Sequence, residues 1–180
     1  MPEIEIRPAH EDDIPDLIKI DHNYSSDYVW QIDIQNSRYE GNINIEFRQA
    51  CLPRPIQVAY PKSPQSLLED WALRSGILVA IYHQIKVGYI SLQLNKIPKT
   101  TWVSDLVVDN FYRRKGIGTA LILAAFEWAN QFETSNLILE MQPKNYPAFK
   151  LAQKLGFEFN GFCNRYYMNK DIGLFFQKAI

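Results

Sequence analysis

The fold is decided by the stretch Val107-Val108-Asp109-Asn110-Phe111-Tyr112-Arg113-Arg114-Lys115-Gly116-Ile117-Gly118-Thr119, which ends a predicted strand and begins a predicted helix. Gly116 and Gly118 lack a Cβ atom, so the backbone can approach a ligand closely there. The N–H groups of the first helical turn have no intrahelical partner, and together with the helix dipole they favour an anion. Arg113, Arg114 and Lys115 add three positive charges beside that turn. The stretch therefore predicts a binding site for a pyrophosphate.

Two well-known phosphate loops have a different glycine spacing. A dinucleotide-binding fingerprint needs a third glycine at position 121, where this chain has Leu121. It also needs an acidic residue at the end of a following strand, and none stands in the right register. A P-loop needs Gly-Lys-Ser or Gly-Lys-Thr after four spacer residues, and that motif is absent from the sequence. The remaining alternative is a tight strand–helix turn with a solvated basic cluster, which the preceding strand and the long helix that follows disfavour.

The rest of the chain predicts an α+β fold in one domain over residues 1–180. The clearest helix covers 119–131, where Leu121, Ile122, Ala125 and Phe126 share one apolar stripe. Segment 23–40 is aromatic and polar without a clean period, and we interpret it as a broken helix or loop. The other predicted helices lie at 11–21, 65–74 and 147–155, and the other predicted strands at 4–7, 42–47, 56–60, 76–82, 86–94, 101–108, 136–141, 157–162 and 171–177.

Composition excludes several classes of protein. The chain carries 19 Lys plus Arg against 20 Asp plus Glu, which argues against nucleic-acid binding by bulk charge. No apolar run approaches the roughly 20 residues that span a bilayer, and no signal peptide is recognisable, so we expect a cytoplasmic protein without a membrane partner. Cys51 and Cys163 are expected to be reduced thiols, and nothing predicts a metal site. Aromatic residues make up 13%, enough for some rings to line a binding pocket.

Two blocks of sequence resemble one family of enzymes. Arg113-x-x-Gly116-x-Gly118, after a strand that ends in Leu106-Val107-Val108-Asp109, resembles the coenzyme A loop of the GNAT superfamily of acetyl-CoA-dependent N-acetyltransferases. The second block resembles the family's later strand–helix segment and consists of Leu139-Glu140-Met141, Asn145, Ala148, Leu151 and Lys154-Leu155-Gly156-Phe157. The resemblance is specific from about Trp102 to Phe157.

This resemblance implies a central mixed, mostly antiparallel sheet that is splayed in the middle and flanked by helices. Acetyl-CoA would lie in the cleft between the strands that end at Val108 and Met141. The pantetheine arm would pair with the open backbone of one strand, and the pyrophosphate would meet the N–H groups of residues 114–119. The predicted cofactor-binding residues are Leu106, Val107, Val108, Arg113, Arg114, Lys115, Gly116, Ile117, Gly118, Thr119 and Asn145.

The expected chemistry is direct acetyl transfer to a primary amine in a ternary complex. Most primary amines are protonated at pH 7, so a base must remove a proton before attack, and a backbone N–H can stabilise the oxyanion. Glu140 is the leading candidate base, because some family members carry a catalytic glutamate at this position; the alternatives are an amine anchor or a solvent-facing strand end. Asp105 is the second candidate base, or a structural carboxylate. No nucleophilic triad is needed, and His10, His22 and His83 are predicted to be surface residues.

One position departs from the family pattern. Many relatives have a tyrosine after the leucine that matches Leu151, and it protonates the departing thiolate, whereas this chain has Ala152. Tyr166, Tyr167 and Tyr146 are the candidates to replace that acid, and the alternative is that solvent protonates the thiolate. The departure keeps open an acyl-CoA-binding module without catalytic activity, and another acyl-CoA donor is a further alternative.

The acceptor is predicted to be a small-molecule or peptide amine. Its site is expected between the N-terminal aromatic segment and the C-terminal strands; the candidates are Tyr24, Asp27, Tyr28 and Trp30 on one side, and Asn164, Arg165, Tyr166 and Tyr167 on the other. Residues 171–176, together with Asn145-x-Pro147-Ala148, resemble streptothricin-type acetyltransferases. Arg165-Tyr166-Tyr167 instead resembles the ribosomal-protein type, and the branch stays open. Homodimers are common in such folds, so a homodimer is possible.

Overall fold

The computed structural model of the chain describes residues 4–36, 41 and 43–180. The strands are β1 (Glu5–Pro8), β2 (Tyr24–Asn36), β3 (Ile43–Val58), β4 (Gly76–Tyr82), β5 (Ile85–Asn95), β6 (Thr100–Val108), β7 (Asn136–Met141), β8 (Glu158–Cys163) and β9 (Gly173–Ala179). The α-helices are α1 (Ile14–Leu17), α2 (Gln65–Asp70), α3 (Ile117–Asn130) and α4 (Tyr146–Lys154).

Within these residues the main sheet has seven strands in the order β1-β4-β5-β6-β7-β9-β8. All neighbouring strands are antiparallel except β6 and β7, which are parallel. A parallel pair needs a crossover connection, and α3 provides it between these two strands. The sheet is therefore mixed and mostly antiparallel, which confirms the predicted fold class.

The parallel pair is short, and this opens the sheet. β6 and β7 pair only from Thr100 with Asn136 to Val103 with Leu139. The register between β5 and β6 shifts at the same level, which leaves Ser104 as an extra residue of β6. A β-bulge bends the strand that carries it. Beyond Val103 the two strands consequently separate, which confirms the splay expected in the middle of the sheet.

Helix α3 covers the centre of the sheet. Its residues Leu121, Ile122, Ala125 and Ala129 are fully buried, as the apolar stripe in the sequence predicts. They pack in the main core with residues of β5 and β7, among them Ile90 and Leu137. Helix α3 is thus held against the middle of the sheet by a buried apolar core.

A second buried cluster joins α1 and α2 to the sheet around Leu17, Leu67 and Val79.

The segment interpreted as a broken helix or loop is in fact a long strand, so that prediction was wrong over 24–36. β2 pairs with β3 in a separate two-stranded ribbon. Few side chains of the ribbon are buried on either face, so β2 lacks the apolar alternation of a half-buried strand. The two strands predicted at 42–47 and 56–60 are one strand, and Pro53 and Pro55 lie where the ladder is interrupted and no N–H donor is needed. The predicted segments 23–40 and 42–47 include residues 37–40 and 42, which lie outside the part of the chain that the structure describes.

Two simpler observations complete the fold. Cys51 and Cys163 are free thiols, and both are exposed. Among the helices that the structure describes, none has the length and apolar character required to cross a membrane.

Candidate active site

A cavity lies where β6 and β7 separate. Its walls come from β6, β7, the start of α4, the loop before α2 and the loop between β8 and β9, and they include Lys62, Ser104, Leu106, Glu140, Asn145 and Tyr167. The enclosed part has a volume of about 40 Å³, which is room for a few water molecules only. A larger ligand must therefore enter along the open strand edge or displace a side chain.

Glu140 projects from β7 into this cleft. Its side chain is only 6% exposed, and each carboxylate oxygen accepts a hydrogen bond. The Lys62 Nζ donates to Oε1 at 2.5 Å, and the Tyr166 hydroxyl donates to Oε2 at 2.6 Å. A charged carboxylate buried to this degree needs such partners. The cleft thus holds a carboxylate in direct contact with a primary ammonium group.

Lys62 belongs to the loop between β3 and α2, and the sequence analysis did not single it out. Besides Glu140, its Nζ donates to the Ser104 carbonyl at 2.6 Å and lies 3.7 Å from Asp105 Oδ1. The lysine side chain therefore bridges the edges of β6 and β7 at the splay. Its sequence context, a proline-bounded loop, offered no signal of this role.

Asp105 lies behind Lys62 and is 4% exposed. Its carboxylate accepts hydrogen bonds from Arg74 and from the Tyr60 hydroxyl, the latter at 2.5 Å. Burial by itself raises the pKa of Asp105, but the charges of Lys62 and Arg74 and these hydrogen bonds outweigh it and hold the pKa below its usual value. Asp105 is consequently an ionised group in a buried network. Arg74 and Tyr60 are further residues that the sequence analysis missed.

Tyr166 and Tyr167 both reach the site. The Tyr166 ring lies against Gly173, where a Cβ atom would come within 2.6 Å of the ring. Tyr167 is 6% exposed and lines the cavity. Burial raises the pKa of each hydroxyl, and the neighbouring Glu140 raises it further. Both tyrosines therefore keep their protons at neutral pH.

The basic loop leads into α3 through a left-handed turn. Arg114 has φ 65°, and Gly116, the N-cap residue, has φ 89°. The first intrahelical bond runs from Ala120 N to Gly116 O, so the N–H groups of Ile117, Gly118 and Thr119 lie at the helix start without intrahelical acceptors. A Cβ atom on Gly116 would meet nothing within 4 Å, so the surface above this turn is open.

Arg113 was predicted to face the cofactor, but its side chain is engaged by backbone carbonyls of the protein. Its guanidinium donates to the carbonyls of Val108, Asp21 and Asn23, at 2.8, 3.1 and 2.7 Å. The side chain thus ties the loop to the segment after α1 instead of offering a free charge. Arg114 and Lys115 are exposed, and the Lys115 Nζ lies 5.0 Å from the centroid of the Tyr112 ring.

Asn145 begins α4 at the rim of the cavity. Its side-chain oxygen accepts a hydrogen bond from Ala148 N at 3.1 Å, which makes it the N-cap of that helix. Gly118 lies close to α4, since a Cβ atom at this position would be 3.2 Å from the Leu151 side chain. Helices α3 and α4 therefore approach each other closely beside the cleft.

The predicted acceptor residues of β2 serve mainly to attach the ribbon. Tyr24 is buried, and its hydroxyl donates to Gln142 Oε1 at 2.7 Å. The rings of Tyr28 and Trp30 pack against Tyr146 and Phe149 of α4, with centroid distances of 4.5 and 5.0 Å. Asp27 is exposed, as are Asn164 and Arg165. Of the residues predicted on both sides, Tyr166 is the one that directly contacts Glu140.

His22 is buried, so its prediction as a surface residue was wrong. It is 6% exposed, and its ring nitrogens lie 2.6 Å from the Ile20 carbonyl and 2.9 Å from the Tyr89 hydroxyl. Burial lowers the pKa of His22. His10 and His83 are exposed, as expected.

Known proteins share this fold and sequence pattern. The Acetyltransferase (GNAT) family model matches residues 44–157. N-alpha-acetyltransferase 30 of Xenopus laevis is 36% identical over 76% of this chain, and the match spans 50% of that protein. A nourseothricin acetyltransferase structure superposes with a TM-score of 0.80 at 20% identity and covers 98% of both chains. A Bacillus anthracis structure in complex with acetyl coenzyme A, assigned to the streptothricin acetyltransferases, gives a TM-score of 0.76 at 22% identity over 99% of this chain and 100% of that one.

The splayed sheet and the left-handed loop at the start of α3 define an acetyltransferase fold. The chain belongs to the GNAT family of acetyltransferases, since the family model covers well over half of its length. This membership confirms the resemblance seen in the sequence and the prediction of acetyl-CoA as the cofactor.

Proposed function

We propose that the protein is an N-acetyltransferase that transfers an acetyl group directly from acetyl-CoA to a primary amine in a ternary complex. One observation carries the proposal. In the splay between β6 and β7, the buried carboxylate of Glu140 holds a primary ammonium group, that of Lys62, at 2.5 Å. An acceptor amine is the same chemical group, so the site has the charge and hydrogen-bond acceptors to bind one.

The residues around the splay fit coenzyme A. From Leu106 to Val108 one edge of β6 pairs with β5, and the pairing with β7 ends at Val103, so the other edge can bind the pantetheine arm. The N–H groups of residues 117–119, with Arg114 and Lys115, suit the pyrophosphate. The open surface above Gly116 supports this fit. Asn145 is placed to present its amide nitrogen, because its oxygen caps α4.

We assign the role of base to Glu140 in preference to Asp105. Asp105 is committed to Arg74 and Tyr60, and its lowered pKa makes it a poor proton acceptor. Glu140 contacts the ammonium of Lys62 directly and can accept a proton from an amine in that position.

Protonation of the leaving thiolate needs no strong acid. A thiol has a pKa of about 8.5, so solvent can supply this proton near neutral pH. Ala152, at the position where many relatives have a tyrosine acid, is completely buried in the core and has no proton to donate. Tyr166 and Tyr167 have raised pKa values and release protons reluctantly. We therefore propose that they orient Glu140 and enclose the acceptor, with Tyr166 donating to the carboxylate.

The acceptor class has two candidates. The Xenopus relative is an N-alpha-acetyltransferase, and the nourseothricin structure is that of an antibiotic acetyltransferase. Both names fit an amine acceptor, and we propose a small-molecule or peptide primary amine.

The test is thiol release from acetyl-CoA with a panel of amines that includes a peptide with a free N-terminus and a streptothricin-class antibiotic. We expect turnover with at least one amine, and a loss of about 100-fold in Glu140→Gln, because a positioned base contributes at least that factor. Glu127→Gln removes an exposed carboxylate on α3 and should leave the rate unchanged. Binding of acetyl-CoA without thiol release would indicate a catalytically silent binding module instead. Absence of both binding and release would contradict the proposal.

A further inference from the structure

Lys62 occupies the position in which the proposed function requires an acceptor amine. Its Nζ contacts the Glu140 carboxylate and the Ser104 carbonyl, at 2.5 and 2.6 Å, at the point where β6 leaves β7. Its side chain is 27% exposed, so it reaches this point from the surface loop and not from the core. The loop has the length to bring a primary amine of the chain itself to the base.

We propose that Lys62 is an acetyl acceptor of this enzyme, so that the protein acetylates itself at this lysine when acetyl-CoA is bound and no other amine occupies the site. The inference rests on the proposed function, because it uses the same base and the same donor. It adds a specific modification site outside the strands and helices that form the cleft.

The step is an ordinary aminolysis of a thioester. Glu140 accepts one proton from the Lys62 ammonium, and the neutral Nζ attacks the acetyl carbonyl carbon. The new N–C bond forms as the C–S bond breaks, and the nitrogen loses a second proton. Coenzyme A leaves as the thiolate and takes up one proton, while the other proton passes to solvent. The product is a neutral amide, so the ion pair between Lys62 and Glu140 is lost.

The same contacts predict an unusual contrast in lysine reactivity. An ammonium held by Glu140, and 3.7 Å from Asp105, is a poor nucleophile toward a reagent in solution. Lys99 has a side chain that is 63% exposed and lies 3.6 Å from the exposed Glu133, so it should react freely with such a reagent. With acetyl-CoA bound in the cleft, Lys62 should instead react faster than Lys99, because its Nζ would lie close to the thioester.

The experiment uses the full chain with isotope-labelled acetyl-CoA and no added amine, followed by tryptic digestion and mass spectrometry. Trypsin does not cut at Arg54, which precedes Pro55, so acetylation of Lys62 converts the peptide 49–62 into 49–74. We expect Lys62 to be labelled roughly tenfold faster than Lys99, at a rate independent of protein concentration. Glu140→Gln should slow the labelling of Lys62 about 100-fold, whereas Glu127→Gln should not.

A second readout requires no coenzyme A. Brief treatment with acetic anhydride should modify Lys62 roughly tenfold more slowly than Lys99, and Glu140→Gln should remove this protection. Equal labelling of Lys62 and Lys99 by acetyl-CoA would overturn the inference, as would full reactivity of Lys62 toward the anhydride. Turnover of external amines without labelling of Lys62 would overturn this inference alone, while absence of all turnover would overturn the proposed function as well.

Discussion

The substitution Asp105→Asn tests the buried ion network behind the cleft. Asp105 is 4% exposed and accepts hydrogen bonds from Arg74 and Tyr60, with Lys62 at 3.7 Å. Asparagine keeps the volume but removes the charge, and the guanidinium of Arg74, whose side chain is 11% exposed, is left without its buried counter-ion. Breaking such a pair costs about 3–5 kcal/mol.

The expected loss can be read as a change in melting temperature. In a protein of this size each kcal/mol corresponds to about 2–4 °C, so Asp105→Asn should lower Tm by about 6–20 °C. The matched control is Asp70→Asn. Asp70 contacts the same arginine, with Asp70 Oδ1 3.0 Å from the Arg74 Nε, but its side chain is 43% exposed. Its replacement should cost less than about 1 kcal/mol.

Thermal unfolding measures the change in Tm, and urea unfolding followed by tryptophan fluorescence measures the free energy of unfolding from pH 7 to pH 3. Because the folded-state pKa of Asp105 is lowered, its ionised form contributes stability above the unfolded-state value of about 3.9, and this contribution is lost as pH falls through the folded-state pKa. The stability gap between wild type and Asp105→Asn should therefore be constant above about pH 4 and shrink below it. If Asp105→Asn is no more destabilising than Asp70→Asn, the network does not hold the cleft as described.

Four further substitutions test individual contacts. Gly116→Ala should cost about 1–2 kcal/mol in urea unfolding, because this N-cap has φ 89° and a Cβ atom disfavours the left-handed region; equal stability would contradict that conformation. Gly173→Ala would place a methyl group 2.6 Å from the Tyr166 ring and displace it, so it should slow acetyl transfer about tenfold, as should Tyr166→Phe. Normal turnover in both variants would exclude a role for the hydrogen bond to Glu140. Wild type should lose stability as pH falls below about 6.5, because the folded-state pKa of His22 is lowered and the unfolded chain takes up the proton. His22→Gln should lack this component of the loss, and an identical pH dependence would refute it.

The local parts of the fold were predictable from the sequence. The apolar stripe of α3, the two glycines at its start and the apolar centre of β7 are short-range patterns, and the structure has them where they were expected. β2 was missed because few of its side chains are buried on either face, so no clean alternation marks it, whereas β3 was predicted in two pieces, at 42–47 and 56–60.

The candidate site was predictable only in part, for a similar reason. Glu140 and the loop at Gly116 lie in short motifs, but the partners of the carboxylates come from distant parts of the chain. Lys62 lies 78 positions before Glu140, and Arg74 lies 31 positions before Asp105. No local pattern marks such pairs. Arg113 shows that a local motif can also mislead. Its cation lies in a phosphate-loop motif, but in the structure it donates hydrogen bonds to backbone carbonyls.

The most direct test of the central claim is a crystal structure of the protein with acetyl-CoA. We expect the pantetheine arm along the free edge of β6 at Leu106–Val108 and the pyrophosphate at the N–H groups that begin α3. The acetyl carbon should lie beside Glu140, within reach of an amine at the position that the Lys62 Nζ now occupies. Acetyl-CoA bound elsewhere, or bound in the cleft with its acetyl group directed away from Glu140, would contradict this account of the enzyme.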